Sequence, residues 1–141
     1  MADEATIVDL LGNRGDPIDV IVATGTAIPK GTLMILDSSP QTCVASSGAS
    51  EIFMGIAANE KTTTDGITHI SLITHCVAEL TCGAAESMVL GAPVMTGAAA
   101  NEVDVATAST VEGRAQIVGI ALETVAGNGT GSVLVNVGKR V

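Results

Sequence analysis

Aromatic residues are almost missing from this 141-residue chain, which has no Trp, no Tyr and a single Phe, Phe53. Its core must be filled by Val, Ile, Leu, Ala and Met, which bury less area per residue than aromatics do. Hydrophobic residues still make up 47% of the chain, enough for one domain with a real core. A core of small side chains favours adding apolar area at a subunit interface. Basic residues are scarce as well: six against fifteen acidic ones, for a formal net charge of −9. The positive footprint that phosphate backbones require is absent, so nucleic acid is excluded as the expected partner. An anionic membrane surface would repel the chain, and no run approaches the ~18 consecutive apolar residues of a membrane span. The start Met1-Ala2-Asp3-Glu4 is acidic, opposite to the basic start of a secretory signal, and the expectation is synthesis and folding in a cytoplasm. Cys43, Cys76 and Cys82 are odd in number and lack close ligand-pair spacing, which argues against a disulfide framework and a zinc site alike. Sustained 3.6-residue periodicity is missing too, and residues 84–88 offer one helical turn at most.

What the chain does have is a short motif used twice. Phe53-Met54-Gly55-Ile56-Ala57 returns as Ile117-Val118-Gly119-Ile120-Ala121, with Gly119 lying 64 residues after Gly55. A Gly inside a short apolar run marks a bulge or a close backbone approach, so both copies read as buried strands pinched at the centre. Around them the order turn, strand, core strand, glycine loop, alternating strand is kept. Ile28-Pro29-Lys30-Gly31 makes a turn, echoed by Leu90-Gly91-Ala92-Pro93, since Pro sets φ and Gly tolerates positive φ. Asp65-Gly66 between apolar runs is a hairpin-type signal. Residues 67–79 are long enough for one bent strand or two short ones, with His69 and His75 on one face and Ile70, Leu72 and Cys76 on the other. The expected fold is all-β, a small β-barrel or sandwich with an approximate internal two-fold repeat. Residues 1–16 form an N-terminal arm and residues 17–141 a single β domain. Within the arm, Ile7, Val8, Leu10 and Leu11 precede the break Gly12-Asn13-Arg14-Gly15-Asp16. Such a segment either frays or orders on a partner surface by strand addition.

Catalytic constellations are not legible. His69 and His75 are six residues apart, roughly 20 Å along a strand at ~3.3 Å per residue, and Cys76 points away from His75. No Gly-x-Ser-x-Gly elbow is present. The acid pairs Glu102 with Asp104 and Asp16 with Asp19 read as surface acids. Gly127-Asn128-Gly129-Thr130-Gly131 lacks the Lys and the following helix of a phosphate-binding loop, and reads as a β-loop. The tripeptide Arg14-Gly15-Asp16 carries no weight. Met34, Met54, Met88 and Met95 read as gap-fillers in a core without aromatics. No catalytic, cofactor or metal residue is assigned, and no cofactor is expected.

From Pro17 to Val137 the pattern resembles the capsid decoration, or cement, proteins of tailed bacteriophages. The resemblance rests on the turn at Pro29 and Gly31, the strand Gly55 to Ala57, the turn and strand at Gly91 and Pro93, and the strand Gly119 to Ala121. The near absence of aromatics and the apolar arm depart from that family. The resemblance implies a structural protein rather than an enzyme, made in the host cytoplasm and carried on the outer surface of the virion. Its implied partners are the major capsid protein and further copies of itself, commonly as a homotrimer, and its implied role is capsid stabilisation. Ile7, Val8, Leu10 and Leu11 are the expected capsid contacts. The competing classes are a small trimeric all-β nucleotide hydrolase, which would need a placed acid and usually a base-stacking aromatic, and a host-surface adhesion module.

Overall fold

The computed structural model describes residues 3–10, 17–106 and 115–137. It is all-β. Eleven strands follow in order: β1 (Thr6–Leu10), β2 (Ile18–Ile21), β3 (Leu33–Leu36), β4 (Cys43–Ala45), β5 (Phe53–Ala57), β6 (His69–Ile73), β7 (His75–Cys82), β8 (Pro93–Thr96), β9 (Glu102–Val105), β10 (Ile117–Ala121) and β11 (Thr130–Asn136). The long apolar run after Gly66 is two strands, parted at Thr74. The break puts β6 in one sheet and β7 in the other. The alternation seen in the sequence holds across it: Ile70, Leu72, Cys76, Ala78, Leu80 and Cys82 are buried, while His69 is exposed and His75 half-buried.

The internal repeat is a repeat of topology. The first sheet runs β2-β6-β5-β3-β4 and the second runs β7-β11-β10-β8-β9, with β1 added outside β7. Each strand of the first sheet therefore has a counterpart in the same place in the second. The second set closes into a five-stranded barrel through parallel pairing of β7 with β9 (Thr81↔Glu102, Cys82↔Val103). The first set meets edge to edge at one parallel bridge, Ile21↔Thr42. Rather than sharing one sheet, each repeat builds its own.

The Gly-Ile-Ala strands do what their glycines suggested. In β5 the pairing with β3 slips between Met34↔Gly55 and Ile35↔Phe53. In β10 the pairing with β8 slips between Ile117↔Met95 and Gly119↔Val94. Both slips are one-residue bulges, which add twist and help a small sheet curl. The same glycines also allow a close neighbour: a Cβ on Gly55 would lie 2.9 Å from the Ile73 carbonyl oxygen, and one on Gly119 only 2.0 Å from that of Leu134. Bulge and close approach coincide in both copies.

Two apolar clusters result. Val20, Val22, Ile28, Met34, Cys43, Ala57, Ile70 and Leu72 fill the first repeat. The larger cluster fills the second repeat and also takes in Leu33, Phe53, Ile56 and Ala5. The only aromatic side chain is thus fully buried where the two repeats meet. Asn101, also fully buried, fastens the same junction. Its Oδ1 accepts the Leu33 N–H at 2.9 Å, and its own N–H donates to Ser46 Oγ at 3.0 Å. Nearby, the Glu51 N–H donates to Thr96 Oγ1 at 3.0 Å.

Candidate interaction surface

The N-terminal segment is built into the fold. β1 lies antiparallel against β7, pairing Thr6↔Glu79, Ile7↔Ala78, Asp9↔Val77 and Leu10↔Cys76, with a bulge between Ile7 and Asp9. Ahead of it, the Ala5 N–H donates to the Gly31 carbonyl at 2.7 Å and the Ala5 side chain is buried. The segment thus ties the first repeat's turn to the second repeat's sheet. The strand addition expected on a partner is made on the chain's own sheet, because the first residues of β7 offer an edge that β9 reaches only at Thr81 and Cys82.

The four expected contact residues separate accordingly. Ile7 packs against the larger core cluster. Val8 points outward and is 56% exposed. Leu10 is placed by its backbone pairing with Cys76, and Leu11 lies outside the described residues.

A second apolar surface was not legible in the sequence. On the outside of the second repeat, Pro93, Ile120, Leu134 and Val77 stand directly opposite one another across β8, β10, β11 and β7. Their chain neighbours Val94, Ala121, Val133, Val135, Cys76 and Ala78 point into the core, so alternation turns the row outward. Ile120 is 44% exposed, and at the rim Leu90 and Leu122 are 65% and 45% exposed. The rim is held close by the Gly91 N–H donating to the Ala121 carbonyl at 2.9 Å.

Several acidic side chains and one lysine hold backbone. Glu86 is buried; its Oε2 accepts the Gly83 N–H at 2.7 Å and its Oε1 the Ala98 N–H. Glu102 belongs with Glu86 more than with Asp104: burial, then the Glu86 and Asp3 carboxylates, raise its pKa above the ordinary glutamate value. Asp104 Oδ1 accepts N–H groups from Ser87 and Val105. Asp16 lies outside the described residues and Asp19 is exposed.

Lys61, wholly buried, donates through Nζ to the carbonyls of Thr24 at 2.6 Å, Thr26 at 2.9 Å and Thr62 at 3.2 Å, with Asp65 Oδ1 at 3.9 Å. Asp65 in turn accepts the N–H groups of Thr62 and Ile67. It shapes the turn that its Asp-Gly pair signalled, where Gly66 has φ +70°.

Cys43, Cys76 and Cys82 are free thiols in the core, and burial pushes each up to about 11. They stay protonated at neutral pH and are poor nucleophiles. His69 and His75 belong to separate sheets. Among the described residues, no three His, Cys, Asp or Glu side chains converge as a metal site, and no helix is long and apolar enough to cross a membrane. No family model matches the sequence, and no curated protein matches it.

Proposed function

We propose that this chain is a structural, non-catalytic protein of a tailed-phage virion, bound to the outside of the icosahedral head, where it stabilises the capsid. The observation that carries the reading is the exposure of apolar side chains on an otherwise acidic chain of net charge −9. An acidic surface keeps a protein soluble and apart from its like, so apolar side chains left on it are where association gains free energy. The resemblance through Pro29, Gly31, Gly55 to Ala57, Gly91, Pro93 and Gly119 to Ala121 supplies the class of partner. The proposed partners are the major capsid protein and further copies of the chain. Binding to the assembled shell and not to its separated subunits stabilises the shell by mass action. The buried Lys61 and Glu86 and the half-buried Asp104 fit this role, each holding loop backbone in place.

The test is to mix the protein with phage heads stripped of their outer proteins, and to measure co-sedimentation and the melting temperature of the shell. Saturable binding with a raised melting temperature is the expected result. Failure to bind any such head, together with magnesium-dependent nucleotide turnover, would replace the reading by the hydrolase class. Val8 is the contact to test within it. Removing residues 1–11 would unmake β1, whereas Val8→Glu alters only an outward side chain and is expected to lower head occupancy.

A further inference from the structure

The loop Gly127-Asn128-Gly129-Thr130-Gly131 has no part in the proposed role, and it holds the only Asn-Gly pair of the chain. A side-chain amide followed by glycine is open to attack by the next backbone nitrogen, since glycine has no side chain to bar the approach. Asn128 is exposed, and among the described residues nothing bonds its side-chain amide. The attacking nitrogen, by contrast, is held by the fold. Asn128 is left-handed, at φ 63°, and the Gly129 N–H donates to the Ala126 carbonyl at 3.0 Å. A nitrogen committed to that carbonyl cannot also close on the side chain. Two more bonds fasten the turn to the end of β7 and the residue after it: the Asn128 N–H to the Gly83 carbonyl at 3.2 Å, and the Cys82 N–H to the Gly129 carbonyl at 2.9 Å. The fit is close, for a Cβ on Gly127 would lie 2.3 Å from the Ala84 carbonyl oxygen.

The first repeat carries the related pair Asp65-Gly66 in the loop after Lys61, as Asn128-Gly129 follows Val125. There the side chain itself is tied: Asp65 Oδ2 accepts the Thr62 N–H at 2.7 Å and Oδ1 the Ile67 N–H at 3.0 Å. A carboxylate kept ionised in this way offers a backbone nitrogen no leaving group. One loop guards its labile pair through the side chain, the other through the backbone alone.

We propose that Asn128 is a self-modification site, at which the Gly129 nitrogen closes on the side-chain carbon when the 126–129 turn opens. The N–Cγ bond forms as the Cγ–Nδ2 bond breaks, and ammonia leaves with the proton of the Gly129 nitrogen. Water then opens the cyclic imide. Cleavage at the side-chain carbon leaves an aspartyl residue; cleavage at the main-chain carbon leaves an isoaspartyl residue, whose backbone is longer by a methylene. Either product adds a negative charge to a chain of net charge −9. The longer backbone also loses the register that sets Asn128 on Gly83 and Gly129 on Cys82. An opening that ends in reaction is thus recorded permanently in the second repeat. The inference does not rest on the capsid reading.

Peptide mapping by mass spectrometry, with fragmentation that tells isoaspartyl from aspartyl, tests it on the full chain kept at mildly alkaline pH with and without denaturant. In denaturant, Asn128 is expected to react before Asn13, Asn59, Asn101 and Asn136. In the native protein the same conversion is expected to be roughly tenfold or more slower, because local opening must come first. Gly127→Ala, which pushes the turn off Ala84, is expected to bring the native rate toward the denatured one. Urea below the unfolding transition serves the same purpose on the wild type if that variant misfolds. Asp65 is expected to stay unmodified in the native protein. The isoaspartyl form, separated from fresh protein by its added charge, is expected to melt at a lower temperature, whereas Asn128→Gln should age without that loss. No conversion of Asn128 in denaturant, another asparagine reacting first, or equal rates with and without denaturant would each overturn the inference. So would a native rate that neither Gly127→Ala nor urea raises, or an isoaspartyl form that melts as the fresh protein does.

Discussion

The two repeats share one strand order and differ in what they do with the same positions. At the bridge that closes each turn region, Ile28 pairs with Lys61 in the first repeat and Met88 with Val125 in the second. One copy uses a buried ammonium to gather three loop carbonyls; the other uses an apolar side chain that packs against the core. At the tight turn before the fourth strand position, Gln41 and Asn101 both adopt left-handed backbone, at φ 56° and 62°. Gln41 is exposed, whereas Asn101 is buried and joins the repeats. On the outer row, Leu33 and Ile56 of the first copy are buried where Pro93 and Ile120 of the second are exposed. A duplicated fold thus divides its labour: the first copy supplies the inner face of the junction, and the second supplies the outer surface.

The comparison breaks hardest at Phe53, whose counterpart is the half-buried Ile117. Phe53→Ala opens a cavity between the repeats and is expected to cost about 3–5 kcal/mol in denaturant unfolding, whereas Ile117→Ala should cost less than the roughly 2 kcal/mol at which buried Ile truncations begin. Equal losses would mean that the junction is no more important than the edge. Next comes Lys61→Val, which writes the second repeat's residue into the first. Two or more loop carbonyls lose their donor at once, and a loss of about 2–4 kcal/mol follows from the usual cost of stranding a buried polar group. Unchanged stability would show that water enters and replaces the ammonium.

Asn101→Ala strands the Leu33 N–H and is expected to cost about 1–3 kcal/mol. The equivalent Gln41→Ala should cost less, because Gln41 is exposed. The smallest effect is a contrast in pH dependence. Asp65, in the first repeat, is held below the usual aspartate value by the Ile67 N–H, then by the Thr62 N–H and Lys61. Its contribution is present above its unfolded value and is lost as pH falls through the lowered one. Glu102, in the second repeat, is shifted the other way, chiefly by burial and then by Glu86. Across the interval between its unfolded and raised folded values, the folded state holds more proton and stability falls as pH rises. Asp65→Asn should flatten the acid limb of a melting-temperature profile, while Glu102→Gln should raise the neutral plateau relative to the acid limb. Identical profiles for both variants would remove the contrast.

Much of this could be read in advance. The all-β class, the repeated order of elements, the pinched Gly-Ile-Ala strands, the inner face carrying Ile70, Leu72 and Cys76 and the Asp65-Gly66 turn all follow from local periodicity and turn chemistry. The partners of Glu86, Lys61 and Asn101 could not be read. Their farthest contacts join residues 12, 37 and 68 positions apart, and nothing in the neighbouring sequence marks them. Leu90 and Leu122 looked like any other apolar residues.

By itself the sequence determined the kind of structure: its alternation demands strands, its glycines demand bulges, and its lack of aromatics demands a core of small side chains. The tertiary structure alone decided that each repeat would make its own sheet, that β1 would take the free edge of β7, and that equivalent rows would meet different fates. The physical reason is that strand pattern fixes which face of a strand is apolar but not what covers it. Covering is a long-range event, and among the described residues only the first copy's row has the other repeat packed over it.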